Sequence, residues 1–225
     1  MNRTKIEWTD YTINPVKGKC PVACPYCYAR KMYDRFKWNP ELRFDPTVFN
    51  NLPTKPAKVF VGSTMELFLP ECQAWLEKTF DLIKPYKWLT FQFLTKQSQN
   101  LIKWSPFPDN CWVGVTATNQ TMFLNACSWF ERIKTKMSFI SIEPLLSWGD
   151  SEYKGVKHST ASWLKEANIN WVIIGGMSGS KPFYPPEEWI EEIEQAADKA
   201  GIPVFEKYNL KKVWDKPPRQ EMPNK

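Results

Sequence analysis

The sequence predicts an α/β fold, a partial (β/α)6 TIM-like barrel with parallel strands in a single domain. Short β-rich runs alternate along the chain with segments of helical periodicity, and this alternation favours a parallel sheet. About seven strands can be counted and no clear eighth unit follows, so we expect the barrel to be incomplete. The 225 residues suit one domain of this kind, and no repeat, low-complexity linker or composition shift marks a boundary.

The predicted strands are short apolar runs bounded by turn-forming residues. A typical one is KVFVGS, in which a buried-strand run ends at Gly62 and Ser63. In chain order, strands are expected near 10–14 and over 58–63, 87–96, 111–117, 138–146, 170–176 and 202–208.

Helical periodicity fills most of the intervals between these strands. The strongest signal is 185–201, with proline at its start, acidic residues in its first turn and Gly201 as a stop. Further helices are expected over 29–38, 70–84, 97–103, 121–134 and 160–168. We expect one domain over 1–225, with a core over about residues 6–208 and a basic, irregular tail over 209–225.

The composition sets limits on the class of protein. A formal charge of +6 is compatible with a polyanionic partner, and a solvated surface explains it equally well. The first fifteen residues lack the apolar region of a secretion signal, and no apolar run approaches the ~18 residues that a membrane span requires. We therefore expect a cytoplasmic protein with no membrane partner, whose thiols stay reduced.

Three of the six cysteines are crowded into the stretch GKCPVACPYCYARK, with the spacing C-x3-C-x2-C. They follow the first predicted strand, which places Cys20, Cys24 and Cys27 on a loop at the functional end of a barrel. Three thiolates can bind zinc or an iron–sulfur cluster. The only histidine is His158, so the usual fourth ligand of a zinc site is nearly absent. Three cysteines on a four-iron cluster would leave one iron open to a small molecule.

A zinc site completed by Cys72, Cys111 or a partner chain is the alternative to a cluster. The predicted helices place Cys72 and Cys127 on apolar faces, and Cys111 opens a predicted strand. Buried, inert thiols are therefore the simpler interpretation of these three.

The cysteine spacing, with the aromatic Tyr26 before the third cysteine, resembles the radical S-adenosylmethionine (radical SAM) superfamily over about residues 6–208. Shorter stretches resemble, more narrowly, a phage-associated branch known mainly as a domain of unknown function. These stretches are IEWTDYTINPVKG, VFVGSTMELF, FLTK, SIEPLL and VIIGGMSG. If a phage encodes the chain, its expected location is the cytoplasm of the host.

The resemblance implies two cofactors. Cys20, Cys24 and Cys27 would ligate three irons of a [4Fe–4S] cluster, and the fourth iron would bind the amino and carboxylate groups of S-adenosylmethionine (SAM). One electron, from a flavodoxin- or ferredoxin-like donor or from dithionite in vitro, would cleave SAM to methionine and a 5′-deoxyadenosyl radical. That radical would abstract hydrogen from the substrate, while the protein positions the reactants and excludes water.

The resemblance also assigns residues at the ends of the later strands. The segment GSTMEL departs from the Gly-Gly-Glu run that holds the amino group of SAM, because only Gly62 matches and Glu66 lies later. We expect Glu143 to contribute more than Glu66, since a carboxylate inside an apolar run needs a partner. The expected SAM contacts are Tyr26, Gly62, Ser63, Thr64, Glu66, Lys96, Thr116, Asn119, Glu143, Gly175 and Gly176. The expected substrate contacts are Met177, Ser178, Lys207 and Tyr208, the last two facing the open side of the barrel.

The leading hypothesis is a radical SAM enzyme that isomerises or rearranges an amino-acid-modified thymine in phage DNA. The basic and aromatic stretches RKMYDRFKW and KKVWDKPPR suit phosphate neutralisation and base stacking. One alternative is a radical SAM enzyme acting on a small metabolite or a peptide. Another is a non-enzymatic zinc or iron–sulfur module that binds nucleic acid.

Overall fold

The computed structural model describes residues 2–149, 159–179 and 182–223, and His158 lies outside them. The strands are β1 (Asn2–Arg3), β2 (Tyr11–Ile13), β3 (Val16–Lys17), β4 (Arg43–Phe44), β5 (Ala57–Val61), β6 (Leu89–Thr95), β7 (Cys111–Thr116), β8 (Met137–Ile142), β9 (Trp171–Ile174) and β10 (Val204–Glu206). Eight of them form one sheet in the order β1-β2-β5-β6-β7-β8-β9-β10, in which β2 and the six strands after it are parallel. The predicted partial barrel of parallel strands is thereby confirmed.

Helices connect most of the parallel strands. They are α1 (Tyr28–Phe36), α2 (Gln73–Ile83), α3 (Gln120–Phe130), α4 (Thr160–Glu166) and α5 (Glu187–Ala200). Short 3-10 helices cover Pro46–Phe49, Pro70–Cys72, Ser98–Trp104 and Tyr208–Leu210. Helix α5 ends at Gly201 in the left-handed conformation, as its sequence predicts. No helix in the described ranges is long and apolar enough to cross a bilayer.

The sheet separates two hydrophobic clusters, because alternate residues of a strand point to opposite faces. The outer cluster lies between the sheet and the helices and includes Leu76 of α2 and Phe123 of α3. The inner cluster fills the concave side and consists of Trp8, Phe60, Trp112, Met137, Phe139, Trp171, Ile173 and Phe205. Gly114 of β7 makes room for it, since a Cβ there would lie 2.3 Å from the ring of Phe139.

A turn at residues 4–10 bridges the two edges of the curled sheet. Trp8 projects from this turn into the inner cluster, with its ring 4.9 Å from that of Phe60. The carboxylate of Glu7 accepts hydrogen bonds from the amide of Tyr208 (2.9 Å) and from Nε2 of Gln220 (3.4 Å). The side of the barrel that the sequence suggests to be open is therefore spanned by the turn.

The C-terminal tail packs along β10. The amide of Glu206 donates to the carbonyl of Arg219 (2.6 Å), and the amide of Glu221 donates to the carbonyl of Val204 (3.1 Å). Trp214 is buried beside them. An edge strand presents unpaired backbone groups, and the tail satisfies part of that row although its sequence shows no periodicity.

The cysteines outside the motif are buried. Cys72, Cys111 and Cys127 are fully shielded from solvent, which confirms their interpretation as buried thiols. Burial raises the pKa of all three, and that of Cys72 to about 12. These thiols are therefore protonated at neutral pH.

Candidate functional site

The side chains that can bind a cofactor or take part in chemistry meet in a pocket at the carboxyl ends of the parallel strands. Its volume is about 490 Å³. All but three of the residues that the sequence singles out line it. They are Cys20, Cys24, Tyr26, Cys27, Gly62, Ser63, Thr64, Glu66, Lys96, Thr116, Glu143, Gly176, Met177, Ser178 and Lys207. Carboxyl-end loops carry the active site in parallel βα barrels, and this pocket has that position.

The cysteine loop forms one wall of the pocket. The amide of Cys27 donates to the carbonyl of Cys24 (3.0 Å), and Ala23 between the cysteines has φ +55°, so the loop curls tightly. The Cys27 thiol caps α1 by accepting from the amide of Arg30 (3.4 Å), whose guanidinium donates to the carbonyl of Cys20 (3.1 Å). The third cysteine of the motif is therefore also the N-cap of α1.

Burial raises the pKa of the Cys20 thiol, and hydrogen bonds from the backbone of Glu66 and Val22 oppose that rise. Burial outweighs these two donors, so the free Cys20 group is favoured as the thiol, and the thiolate that binds metal would form on ligation. All three cysteines of the loop are free of disulfide bonds and half-buried.

The thiols fit a multi-iron cluster better than a single metal ion. Tetrahedral zinc, with Zn–S bonds of ~2.3 Å, needs its sulfurs within about 4 Å of one another. Within the described ranges, no three His, Cys, Asp or Glu side chains converge closely enough to hold one ion. Cys72 lies close enough to Cys20 for the Cys20 thiolate to raise its pKa, yet neither Cys72 nor Cys111 belongs to such a converging group in the described ranges. A four-iron cluster binds each thiolate at a separate iron, so it tolerates the wider spacing.

The loop after β5 forms the next part of the wall. Gly62 has φ +82°, and a Cβ there would lie 2.6 Å from the side chain of Leu67, so only glycine fits the turn. Oδ1 of Asn14 accepts from the hydroxyl of Ser63 (3.2 Å) and the amide of Thr64 (3.1 Å). These bonds fix the loop against the end of β2.

Glu66 is buried and satisfied by the chain's own donors. Its carboxylate accepts from the amide of Phe68 (3.1 Å), the hydroxyl of Thr95 (2.7 Å) and the amide of Lys96 (2.8 Å). Burial raises its pKa, and the three hydrogen bonds oppose the rise. Glu66 therefore ties the loops after β5 and β6 together beneath the pocket.

Glu143 and Lys207 form an ion pair across the pocket, between the ends of β8 and β10. Glu143 lies inside an apolar run of the sequence and is expected to need a partner, and that partner is Lys207. Gly175 allows the pair to form, because a Cβ at that position would come within 3.1 Å of Glu143 and 3.2 Å of Lys207. Its role is to leave space behind the pair.

An apolar floor closes the pocket below. Phe60, Leu94 and Trp8 line it, and the indole N–H of Trp8 meets no acceptor in the described part of the chain. Thr116, nearly fully buried, ends β7 at the same level, while the ammonium of Lys96 lies 5.9 Å from the ring centroid of Tyr26. The pocket therefore combines polar walls with an aromatic base.

Three of the singled-out residues do not line the pocket. Asn119, an expected SAM contact, caps α3 instead of lining the pocket: its side-chain oxygen accepts from the amide of Met122 (2.9 Å). Gly175 lies behind the ion pair, and Tyr208 is half-exposed on the outer rim. An asparagine just before a helical segment is a typical N-cap, so the helix expected over 121–134 already offers a signal for the capping role of Asn119.

Other residues of the site escape the sequence analysis. Trp8, Phe60 and Tyr28 line the pocket, and the hydroxyl of Tyr28 donates to the carbonyl of Ser63 (3.2 Å). Asn209 holds the loop after β9, donating to the carbonyl of Gly176 (2.8 Å) and accepting from its amide (3.0 Å). Phe60 lies in an apolar run that is typical of core, and Trp8 and Tyr28 belong to no motif, so the sequence carries no signal for these three aromatic residues.

No curated protein matches the chain. Among solved structures, it resembles spore photoproduct lyase complexed with dinucleoside spore photoproduct, with 14% identity and a TM-score of 0.53. It also resembles a double mutant of that lyase with bound AdoMet (SAM) and the same dinucleoside, with 13% identity and a TM-score of 0.52. Each alignment covers 88% of this chain and 63% of the lyase chain. At this identity the likeness shows the fold.

A family model matches residues 3–216. The match covers nearly the whole chain, and the description of the family names no substrate. The association with phages that the sequence resemblance implies stays a prediction. The chain belongs to the family described as "Protein of unknown function (DUF5131)".

Proposed function

We propose that the protein is a radical SAM enzyme whose active site is the carboxyl-end pocket. The observation that carries the proposal is the set of three half-buried cysteines, free of disulfide bonds and spaced C-x3-C-x2-C, on one wall of that pocket. The fold neighbours are radical SAM enzymes, and one of them holds AdoMet, which supports the same chemistry here. A cytoplasmic location, where thiols stay reduced, suits such a site.

Cys20, Cys24 and Cys27 would hold a [4Fe–4S] cluster through three thiolates. When bound, the cluster and SAM supply the reductive cleavage that yields a hydrogen-abstracting 5′-deoxyadenosyl radical. The electron would come from a flavodoxin- or ferredoxin-like donor, or from dithionite in vitro. The chain's own contribution is to bind, orient and exclude water.

The walls of the pocket offer complementary groups for SAM. The backbone of Gly62, Ser63 and Thr64 lies beside the cysteine loop, where it suits the amino group, and the Lys96 ammonium suits the carboxylate. Glu143, held by Lys207, faces the same space and suits the ribose hydroxyls. The apolar floor excludes water from the reacting atoms.

For the substrate, we propose a nucleic-acid base, specifically an amino-acid-modified thymine in DNA that is isomerised or rearranged. The similar lyase binds a dinucleoside in its structure, which supports a nucleic-acid substrate for this fold. The positive charge of the chain suits the same partner. The remaining rim residues, Met177, Ser178 and Lys207, border the space left for a base.

The test is deuterium transfer into 5′-deoxyadenosine. Reconstituted protein is incubated with SAM, dithionite and DNA that carries a deuterated modified thymidine, and the nucleoside product is analysed by mass spectrometry. Transfer from the DNA supports the whole proposal. Transfer from a free small metabolite or peptide, with none from DNA, would retain the radical chemistry and replace the substrate.

A further inference from the structure

Helix α1 begins at the cysteine loop and is almost unpartnered. Ala29 is its one fully buried residue. Tyr33 anchors the helix by accepting from the amide of Gly18 (2.8 Å), and Asp34 pairs with Lys19. Arg30 and Tyr28 also bond to neighbouring loops, and most of the remaining surface faces solvent. This is unusual for a helix in a βα fold, because such helices normally bury one face against the sheet.

The solvent face of α1 carries an aromatic stripe. Tyr28, Met32 and Phe36 follow at four-residue spacing, and their exposed fractions are 55%, 36% and 52%. Trp38, 47% exposed, stacks on Phe36 with ring centroids 5.5 Å apart and planes 23° apart. We call these four residues the α1 stripe. Between positions 28 and 36 it is about 12 Å long, room for three or four stacked bases.

Cations flank the stripe without acidic partners on the helix. Lys31 and Arg35 are exposed, and the Arg35 guanidinium lies 5.3 Å from the ring centroid of Phe36. The helix has a single acid, Asp34, and Lys19 neutralises it. Aromatic faces beside unneutralised cations are the combination that binds single-stranded nucleic acid, through base stacking and phosphate contacts.

The stripe leads into the pocket. Its first residue, Tyr28, lines the pocket and bonds to the carbonyl of Ser63. The basic tail is a poorer candidate for the same role, because Lys216 pairs with Glu191 and Arg219 pairs with Asp198 on the outer surface. Lys211 and Lys212 of the tail lie over the rings of Tyr208 and Tyr184 instead, so what favours α1 is its continuity with the pocket through Tyr28.

We propose that the α1 stripe, with Lys31 and Arg35, is a docking surface for single-stranded nucleic acid that delivers one nucleotide to the pocket. The proposal rests on the nucleic-acid substrate proposed above and assigns the surface that recognises it. Continuity with the pocket favours nucleic acid over an acidic protein, since an electron donor has to approach the cluster but has no need to enter the pocket.

The test measures binding of a fluorescein-labelled oligothymidylate to the cluster-loaded protein by fluorescence anisotropy over a series of NaCl concentrations. Phe36→Ala with Trp38→Ala should weaken binding roughly 5- to 100-fold and leave the salt dependence unchanged. Lys31→Gln with Arg35→Gln should lower the slope of log K against log salt by about 0.7 for each lost phosphate contact. The matched control is Lys87→Gln with Trp88→Ala, an exposed cation and tryptophan at the other end of the barrel, which should bind like the wild type.

Two results would overturn the proposal. One is equal binding of the oligonucleotide by all four proteins. The other is failure of the wild type to bind it while both stripe variants lose reduction by an acidic flavodoxin, which would make α1 a protein-docking surface. Formation of 5′-deoxyadenosine without nucleic acid, which the stripe variants should retain, reports separately on the radical chemistry. Stripe-dependent binding without SAM cleavage would uphold the docking surface and reject the proposed function.

Discussion

The two ends of the half-barrel differ in what their cavities contain. The cavity at the amino ends of the strands is the larger, about 790 Å³ against about 490 Å³ at the carboxyl ends. No cysteine lines the larger cavity, and its Asn110 amide is occupied by the carbonyls of Ile83 (3.0 Å) and Tyr86 (3.2 Å). The smaller cavity holds all three half-buried thiols and the Glu143–Lys207 pair. Cavity size alone would favour the amino end, whereas the reactive and charged side chains favour the carboxyl end as the candidate site.

The largest expected effect separates the two sets of cysteines. Cys20→Ala, Cys24→Ala and Cys27→Ala should each lose most of the about four irons and four sulfides expected per chain, because each thiolate holds one iron. Cys72→Ala, Cys111→Ala and Cys127→Ala are the matched controls and should keep them. Iron and sulfide analysis after anaerobic reconstitution measures both sets. Retention of one zinc in place of iron would instead support the zinc alternative.

Two tryptophans at opposite ends should differ in their contribution to stability. Trp8→Ala removes a buried ring that touches Phe60 and should lower the free energy of unfolding by about 3 to 5 kcal/mol. Trp88→Ala at the amino end removes a ring that is 44% exposed and should cost less than about 1 kcal/mol. Urea unfolding compares the two variants. Equal losses would mean that the turn at residues 4–10 does not close the concave side as described.

The ion pair at the carboxyl end should influence SAM binding. Lys207→Met leaves the Glu143 carboxylate without its partner and free to turn from the pocket, so we expect SAM to bind about tenfold more weakly. Lys87→Met, at the amino end, should bind SAM like the wild type. Anaerobic equilibrium dialysis gives both dissociation constants. An unchanged value for Lys207→Met would remove the pair from the SAM site.

The smallest expected effect is a pH dependence away from both cavities. Burial, and then the neighbouring Glu206 carboxyl, raise the pKa of Glu194 to about 7 from an ordinary value of 4.5. Since the folded-state pKa is the higher, the stabilisation is complete below about pH 4.5 and is lost as pH rises through about 7. Glu194 is partly solvated, so the loss should be about 1 kcal/mol.

Glu194→Gln, which cannot ionise, tests that dependence. Between pH 5 and pH 8 its free energy of unfolding should fall less than that of the wild type. Glu188→Gln, at an exposed position on the same helix, is the control and should follow the wild type. If the free energies of unfolding of all three proteins depend on pH in the same way, the pKa of Glu194 is not raised in the folded state.

The sequence predicts the fold well because the signals are local. The parallel strands are short, mostly apolar runs, and α5 has a proline start and a Gly201 stop, so local pattern alone finds them. The Glu143 partner could not be found in this way, since Lys207 lies in another βα unit. The same holds for the Trp8 turn and for the pairing of the tail with β10, which depend on contacts between distant parts of the chain.

The candidate site was predicted best where chemistry limits the choice of residue. Thiols at C-x3-C-x2-C spacing and a glycine at φ +82° leave few alternatives, and both line the pocket. Polar residues at strand ends have several uses. Glu66 is ranked below Glu143 from the sequence, and in the structure it lines the pocket with three hydrogen bonds to its carboxylate. Asn119 caps a helix and does not line the pocket.

The central claim is that the carboxyl-end thiols support reductive cleavage of SAM. It is tested most directly by measuring 5′-deoxyadenosine from anaerobically reconstituted protein with SAM and dithionite, for the wild type, Cys24→Ala and Cys127→Ala together. We expect the nucleoside from the wild type and Cys127→Ala and none from Cys24→Ala. No product from an iron-loaded wild type, or equal product from all three, would contradict the claim.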